Sequence, residues 1–369
     1  MLPSARKHSG FSLIEILVGM AIGLIGIVII FQVLTVSEAR KRTTGSGTDA
    51  QIAGSIAMFN LERDVRLAGY GLGVATYLGC SVYAYDTSRA TPNFSFNLNP
   101  IEIIQGASGA PDTIKVLWGN SSSFVSSQDF ITSTPTSKKT KSGRAGLQRG
   151  DLVIVAGNSP AQCALVEVSG DSNADALTID HTSGDYISAY PSSPGVYPTV
   201  TPRYNPAAGP AVPVVFSSGV IYNLGPSPQL DTWQIRNGRT LAWSDGLHNS
   251  TTWNEVAEGI INLQAEYGVD ADNDNKISNA EWTVTTPITS ADWSNVRAIR
   301  VGLLARSQQY EKDAVTLTAP SWAAGAFTMT NVDGGADSSP GDANDWRHYR
   351  YRVYQTIVPL RNMIWGTAD

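Results

Sequence analysis

Residues 11–36 form an apolar run that contains a single charged residue, Glu15. At about 1.5 Å per residue, a helix over this run would be roughly 39 Å long, which exceeds the ~30 Å hydrocarbon core of a bilayer. A basic leader with Arg6 and Lys7 precedes the run and favours an N-terminus on the cytoplasmic side. The pattern therefore predicts a membrane-spanning helix.

The helical pattern continues beyond the apolar run to about Leu67. Apolar residues recur every three or four positions, as at Ile52, Ile56 and Phe59. The repeated glycines of LAGYGLG follow the last periodic residue, which is typical of a helix end. One long helix is thus predicted, apolar in its first half and amphipathic in its second.

Short runs of β-type residues, separated by Gly, Pro, Ser and Asn, fill the chain after residue 73. The clearest are DTIKVLWG, GDLVIVAG, GVIYNLG, IINLQAEYGV, NVRAIRVGLLAR and HYRYRVYQTIVPLRN. The Asn-Gly pair in DTWQIRNGRTLAWSD predicts a hairpin turn. The polar residues 121–146 predict a loop. The expected fold class is α+β, with the long helix followed by a large, antiparallel, β-rich globular domain.

Seven prolines, spaced three or four residues apart, fall within residues 186–215. Proline cannot donate a hydrogen bond to a β-ladder. This segment is therefore either a surface excursion or a divider between two β lobes.

Composition and charge exclude several classes of function. The net charge is −6, and the basic residues form no strip that would bind nucleic acid. The three histidines after the apolar run, His181, His248 and His348, lie in no metal-binding spacing, and neither a GxSxG nor a GxxxxGK motif is present. The sequence predicts a protein that is not an enzyme.

The stretch GFSLIEILVGMAIG resembles the signal of type IV prepilins and pseudopilins. The resemblance implies that a prepilin peptidase cleaves between Gly10 and Phe11 and methylates the new amine of Phe11. It also implies that Glu15 pairs with a Phe11 amine during assembly. A lone carboxylate in lipid costs several kcal/mol, so a partner is expected on physical grounds as well. The alternative is a charge tolerated near the membrane interface.

Two further stretches narrow the resemblance. FNLERDVRLAGYG and the closing strands with PLRN resemble PilW-type minor pilins and the related J-type pseudopilins of type II secretion. A PilW-like role implies a type IV pilin-like fold and a subunit at or near the pilus tip that primes assembly. The implied partners are other minor pilins, the major pilin and a large tip adhesin. The alternatives are a J-type pseudopilin or a membrane-anchored, calcium-dependent adhesin.

The resemblance also implies an organisation and a location. Residues 1–10 would be the leader, 11–36 the transmembrane half of the helix, 37–72 its periplasmic half and 73–369 the β domain. The protein would cross the bacterial inner membrane once, with its C-terminal domain in the periplasm, and would later move to the pilus.

The chain contains two cysteines, Cys80 and Cys163, outside any CxxC motif. If the body lies outside the cytoplasm, a disulfide between them is expected. The alternative is a pair of buried free thiols.

The stretch DADNDNKISNAE has the spacing of a calcium-binding loop. Its expected ligand positions are Asp270, Asp272, Asp274, Lys276 through its carbonyl, Ser278 and Glu281. Asn275 replaces the usual glycine, but asparagine tolerates the left-handed conformation required there. Ca²⁺ is thus an expected ligand, on a β scaffold rather than between two helices, and a solvated acidic turn is the alternative.

Overall fold

The computed structural model describes most of the chain, with gaps at both ends and in several loops. The described residues are 12–122, 127–144, 146–158, 161–171, 175–207, 215–248, 251–332 and 344–364.

Helix α1, Leu13–Leu67, dominates the N-terminal part of the molecule. Ser12 caps its start, since the Ser12 hydroxyl oxygen accepts a hydrogen bond from the amide of Ile14 at 3.2 Å. The helix ends at the predicted glycines, where Gly69 and Gly71 have φ values of 78° and 96°. These left-handed conformations favour glycine, which explains why the helix stops there.

Twenty-two strands and two short α-helices lie in the described part of the body. In the first half they are β1 Ser81–Tyr85, β2 Asn93–Asn97, β3 Ile101–Ile104, β4 Thr113–Trp118, β5 Gln128–Ser133, β6 Ser137–Thr140, β7 Leu152–Asn158, β8 Ala161–Glu167, β9 Gly170–Asp171, β10 Thr178–Asp180, β11 Tyr186–Ile187 and β12 Thr199–Val200. In the second half they are β13 Gly219–Gly225, β14 Gln229–Arg236, β15 Thr240–Asp245, β16 Asn254–Glu258, β17 Ile260–Val269, β18 Trp282–Thr283, α2 Ser290–Ser294, β19 Val296–Arg306, β20 Ser321–Trp322, β21 Gly325–Ala326, β22 Tyr351–Pro359 and α3 Arg361–Ile364.

Three sheets build the body, and two isolated hairpins, β11–β12 and β20–β21, accompany them. The largest sheet has nine strands in the order β2-β1-β8-β7-β13-β5-β6-β10-β9, a second has β16-β15-β14-β4-β3, and a third has β18-β17-β19-β22. Among these pairs only β1 and β8 run parallel. The predicted α+β class, with a long helix and an antiparallel-rich body, is confirmed.

The hairpin predicted from Asn-Gly joins β14 to β15. Trp233 faces Trp243 across it, and the turn residues Asn237 and Gly238 have φ values of 51° and 68°. Positive φ at both central positions is the geometry that favours this dipeptide.

Strands from before and after the proline-rich segment pair with one another. Strand β13 follows the segment and pairs with β7, which precedes it. Strand β14 likewise pairs with β4. Both larger sheets therefore combine strands from before and after the segment.

The loop predicted over residues 121–146 is wrong in part, because β5 and β6 lie within it. Phe130 packs in a core, and the fully buried Lys138 donates from Nζ to the carbonyl of Thr134 at 2.9 Å. Burial lowers the pKa of Lys138 to about 7. Lys138 thus occupies an inward-facing strand position with its aliphatic stem buried, whereas a prediction from polarity alone would place a lysine in solvent.

Strand β7 separates two hydrophobic cores. Its residues Leu152 and Ile154 face a large core that also contains the second half of α1, whereas Val153 and Val155 face a smaller core around Phe130. Alternate side chains of a strand point to opposite faces, so a strand between two cores reads as continuously apolar.

The second half of α1 packs mainly against β22, β16 and β19. Tyr354 on β22 lies directly over Gly54, and its hydroxyl donates to the carbonyl of Gln51 at 2.8 Å. At the end of the helix, the Asn362 amide donates to the carbonyls of Leu67 and Ala68 at 3.2 and 3.1 Å. These contacts bind α1 to β22 and to α3.

We expect Gly54→Ala to lower the free energy of unfolding by about 1–3 kcal/mol, as overpacking does. A Cβ at Gly54 would lie 2.0 Å from a ring carbon of Tyr354. Helix propensity alone would raise the free energy of unfolding by up to about 1 kcal/mol. The sign of the change in this free energy therefore separates the packing effect from the propensity effect. Urea unfolding of the detergent-solubilised full chain measures the change.

Gly45→Ala is the matched control, because a Cβ there meets no described atom within 4 Å. This control should be neutral or slightly stabilising. Equal stability of the two variants would contradict the packing of α1 on Tyr354.

Candidate functional site

The first half of α1 is an apolar surface that the body of the protein leaves uncovered. Its segment Leu13–Glu38 is long and apolar enough to cross a membrane, and its most apolar window is not buried by any other described part of the chain. Exposed apolar area of this extent is unfavourable in water. Lipid or other protein must therefore cover it.

Glu15 lies in the first turn of this helix. Its carboxylate accepts a hydrogen bond from the amide of Ser12 at 3.0 Å, which completes a capping box with the Ser12 hydroxyl. A negative charge at a helix N-terminus also interacts favourably with the helix dipole. Gly10 and Phe11, the residues of the expected cleavage site, lie outside the described residues.

Unburied apolar residues continue on α1 past the membrane-length segment. Ile52, Ile56 and Phe59 are exposed, Phe59 to 67%, and their spacing of four and three places them on one helix face. Ala57 and Leu61 are buried against the body on the other side. The second half of α1 thus has one face bound to its own body and one apolar face open.

A disulfide joins Cys80 to Cys163, as expected for a body outside the cytoplasm. It links the segment that follows α1 to strand β8, beside the parallel pairing of β1 and β8. Cys163 is fully buried in the large core. The disulfide therefore fastens the nine-stranded sheet to the chain that emerges from the helix.

The acidic loop follows β17 and brings three of its predicted residues together. Carboxylate oxygens of Asp270, Asp272 and Asp274 lie within 4.8 Å of one another. Asn275 adopts the left-handed conformation expected from the sequence, with φ of 62°. Asp270 is fully buried, whereas Asp272 and Asp274 are exposed.

The other predicted loop residues are held by backbone contacts. Glu281 accepts hydrogen bonds from the amides of Ser278 and Ala271 at 2.7 and 3.0 Å. The Ser278 contacts are the larger cause of its lowered pKa. The amide of Lys276 donates to Asp274 at 2.8 Å. These bonds close the loop, because the Glu281 carboxylate contacts one amide near the start of the loop and one near its end.

Two buried carboxyl groups at the junction of α1 and β14 were not predicted from the sequence. Asp64 on the helix and Asp231 on the strand are almost fully buried. Asp231 accepts from the indole N–H of Trp118 at 2.9 Å, and its Oδ1 has no partner among the described residues. Burial, with the nearby charge of Asp64, raises the pKa of Asp231 to about 7, against the opposing hydrogen bond from Trp118.

The three histidines are held in separate contacts. His181 Nε2 lies 2.7 Å from Lys138 Nζ, His248 Nδ1 lies 2.5 Å from an Asp245 carboxylate oxygen, and His348 Nδ1 lies 2.7 Å from a backbone carbonyl oxygen.

Comparison with known families agrees with this architecture. The Prokaryotic N-terminal methylation motif matches residues 5–31, and the Type IV Pilus-assembly protein W model matches residues 229–362. No curated protein and no solved structure shows a significant match to the chain.

A membrane-length helix that begins with the methylation motif and continues into a β body defines a prepilin-like, single-pass membrane-anchored protein. Its C-terminal part, from β14 to α3, is a type IV pilus-assembly protein W domain.

We expect Asp231→Asn to stabilise the protein at pH 7–8 by roughly 2–4 kcal/mol, because burial raises the Asp231 pKa from 3.8 to about 7. Between these two pKa values the folded state binds more protons than the unfolded state. The wild type therefore loses stability relative to the variant as the pH rises through this window, and the difference levels off above about pH 7.

Urea unfolding of both proteins from about pH 4 to pH 8 measures this difference. Asp313→Asn, at an exposed loop position, is the control and should show no such dependence. A constant difference between wild type and Asp231→Asn across the range would contradict the assignment.

Proposed function

We propose that the protein is a minor pilin that primes type IV pilus assembly and sits at or near the pilus tip. The observation that carries the proposal is α1 itself: an apolar helix with a processing motif, left uncovered along its first half and fixed along its second half to a large body. The proposal assigns the protein a structural role without catalysis.

The apolar half of α1 would serve in two environments. In the inner membrane it would be the anchor, with the body in the periplasm. In the pilus, helices of other pilins would replace lipid around it. Gly19, Gly23 and Gly26 support this exchange, because a Cβ at these positions meets no described atom within 4 Å, and small residues let neighbouring helices approach closely.

Glu15 would set the register between neighbouring subunits. Cleavage after Gly10 would leave Phe11 as a methylated N-terminus four residues before Glu15. In an apolar bundle a carboxylate gains most from a cationic partner, and the amine of an adjacent subunit would supply one. The bond that Glu15 now makes to Ser12 uses part of the acceptor capacity of its carboxylate, so further acceptor sites remain.

The size of the body supports a position at the end of the filament. About 300 residues follow α1. A subunit within the shaft must share its circumference with the bodies of its neighbours, whereas a terminal subunit has free space on one side. The exposed face of Ile52, Ile56 and Phe59 would then contact the next minor or major pilin below.

We expect the leader to be removed by processing after Gly10. The mature protein purified from membranes should begin at Phe11, and its N-terminal peptide should carry one methyl group. Intact-mass and peptide mass spectrometry measure both. Gly10→Val should leave the leader attached, because a side chain there obstructs the peptidase. A wild-type N-terminus at any other residue would contradict the prepilin assignment.

We expect pilus assembly in the host cell to require this protein. Deletion of the gene should abolish or strongly reduce surface pili and leave type II secretion intact, and expression of the wild type should restore the pili. Glu15→Val should insert into the membrane at wild-type level but fail to restore them. Sheared-pilus yield and membrane fractionation measure these outcomes.

Gly45→Ala, on the same helix but away from Glu15, should restore pili normally and controls for expression. Full restoration by Glu15→Val would contradict the pairing role. Loss of secreted enzymes with intact pili would instead indicate the J-type pseudopilin function.

A further inference from the structure

The loop between β17 and β18 carries a buried carboxylate oxygen that the described structure leaves without a hydrogen bond. Asp270 is fully buried, and its Oδ1 has no partner among the described residues. Its Oδ2, by contrast, accepts from the amide of Asn275 and from Arg297 Nε, each at 3.2 Å. An unpaired buried carboxylate oxygen is costly, so Oδ1 is expected to have a ligand.

The surroundings of Asp270 indicate the chemistry of that ligand. Carboxylate oxygens of Asp272 and Asp274 lie within 4.8 Å of each other and of a carboxylate oxygen of Asp270. Three carboxylates so close together repel one another unless a cation lies among them. Arg297 compensates one charge, but it does so at Oδ2.

We propose that this loop binds one Ca²⁺ ion, with Oδ1 of Asp270 and the carboxylates of Asp272 and Asp274 as its central ligands. Oxygens on opposite sides of Ca²⁺ lie about 4.6–5.2 Å apart, whereas around Mg²⁺ they lie about 4.0–4.2 Å apart. Carboxylate oxygens that all lie within 4.8 Å of one another can share the coordination sphere of one such ion, and the large number of oxygen ligands that the loop offers favours Ca²⁺.

The remaining ligands come from the same loop and from water. The carbonyl of Lys276, the hydroxyl of Ser278 and the carboxylate of Glu281 occupy the expected positions in the sequence. The Glu281 carboxylate closes the loop, because it accepts hydrogen bonds from the amides of Ala271 and Ser278.

The ion would fasten the sheet against which α1 packs. The amide of Asp270 donates to the carbonyl of Asn295 at 2.8 Å, immediately before β19, and Arg297 on β19 contacts Asp270. Strand β19 pairs in turn with β22, which contacts the helix. Binding would thus join the end of β17 to the start of β19 and hold the 271–295 connection in place.

Ca²⁺ titration of the full chain in detergent, after removal of bound metal with a chelator, tests the proposal by calorimetry and thermal unfolding. We expect one site per chain with a Kd on the order of 10⁻⁴–10⁻³ M, the range of extracellular calcium modules. Ca²⁺ should raise the unfolding temperature, and Mg²⁺ should bind at least tenfold more weakly. Absence of calcium binding, or equal binding of the two metals, would overturn the proposal.

Asp272→Asn and Asp274→Asn are the informative variants. Both side chains are exposed, so we expect neither substitution to change the fold. Each should weaken Ca²⁺ binding at least tenfold, because an amide oxygen carries no charge, and the double variant should show a smaller thermal response than either single variant. Without Ca²⁺ the variants should unfold at the same or a higher temperature than the wild type, since carboxylate repulsion is reduced. A purely structural role of the acids would lower that temperature instead.

Asp313→Asn removes an exposed charge from another loop and should bind Ca²⁺ as the wild type does. Wild-type affinity in the double variant would overturn the site. These measurements need no pilus, so they stand apart from the tests of the proposed function.

Discussion

The close packing of Tyr354 on Gly54 is the contact on which the arrangement of the molecule depends. It allows β22 to approach the backbone of α1, and the Tyr354 hydroxyl then reaches the carbonyl of Gln51. Asn362 makes a similar contact at the end of α1, where its side-chain amide donates to helix carbonyls. Through these contacts the second half of α1 is joined directly to the sheet that contains β22.

The two halves of α1 satisfy different physical requirements on one continuous helix. The first half must be apolar all round, because no described part of the body covers it. The second half needs one face for its own body and presents another, with Phe59, to the outside. Burial of Asp64 and Asp231 at this junction costs stability at neutral pH, so the junction is not optimised for stability alone.

Local sequence patterns were sufficient to predict the elements that do not depend on contacts with distant parts of the chain. The extent of α1 followed from periodicity and from the glycines after Leu67, and the β14–β15 turn followed from Asn237-Gly238. The strands β5 and β6 were missed because the segment is polar, and the burial of Lys138, whose Nζ contacts Thr134 and His181, depends on the fold. The Asp64–Asp231 junction depends on residues far apart in the chain, and no local signal identifies it. The acidic loop could be predicted in part. The spacing of its acidic residues is visible in the sequence, whereas the unpaired Oδ1 of Asp270 is visible only in the folded structure.

The two matched regions are distant in sequence and are connected through α1. The methylation motif lies at the start of α1, and the protein W domain supplies β22, which contacts the same helix. All nine strands of the largest sheet lie between residues 81 and 225, outside both matched regions. That sheet is attached to α1 and to the protein W domain through the Cys80–Cys163 disulfide and the large core that all three share. The nine-stranded sheet is therefore the largest part of the described fold that neither family model covers.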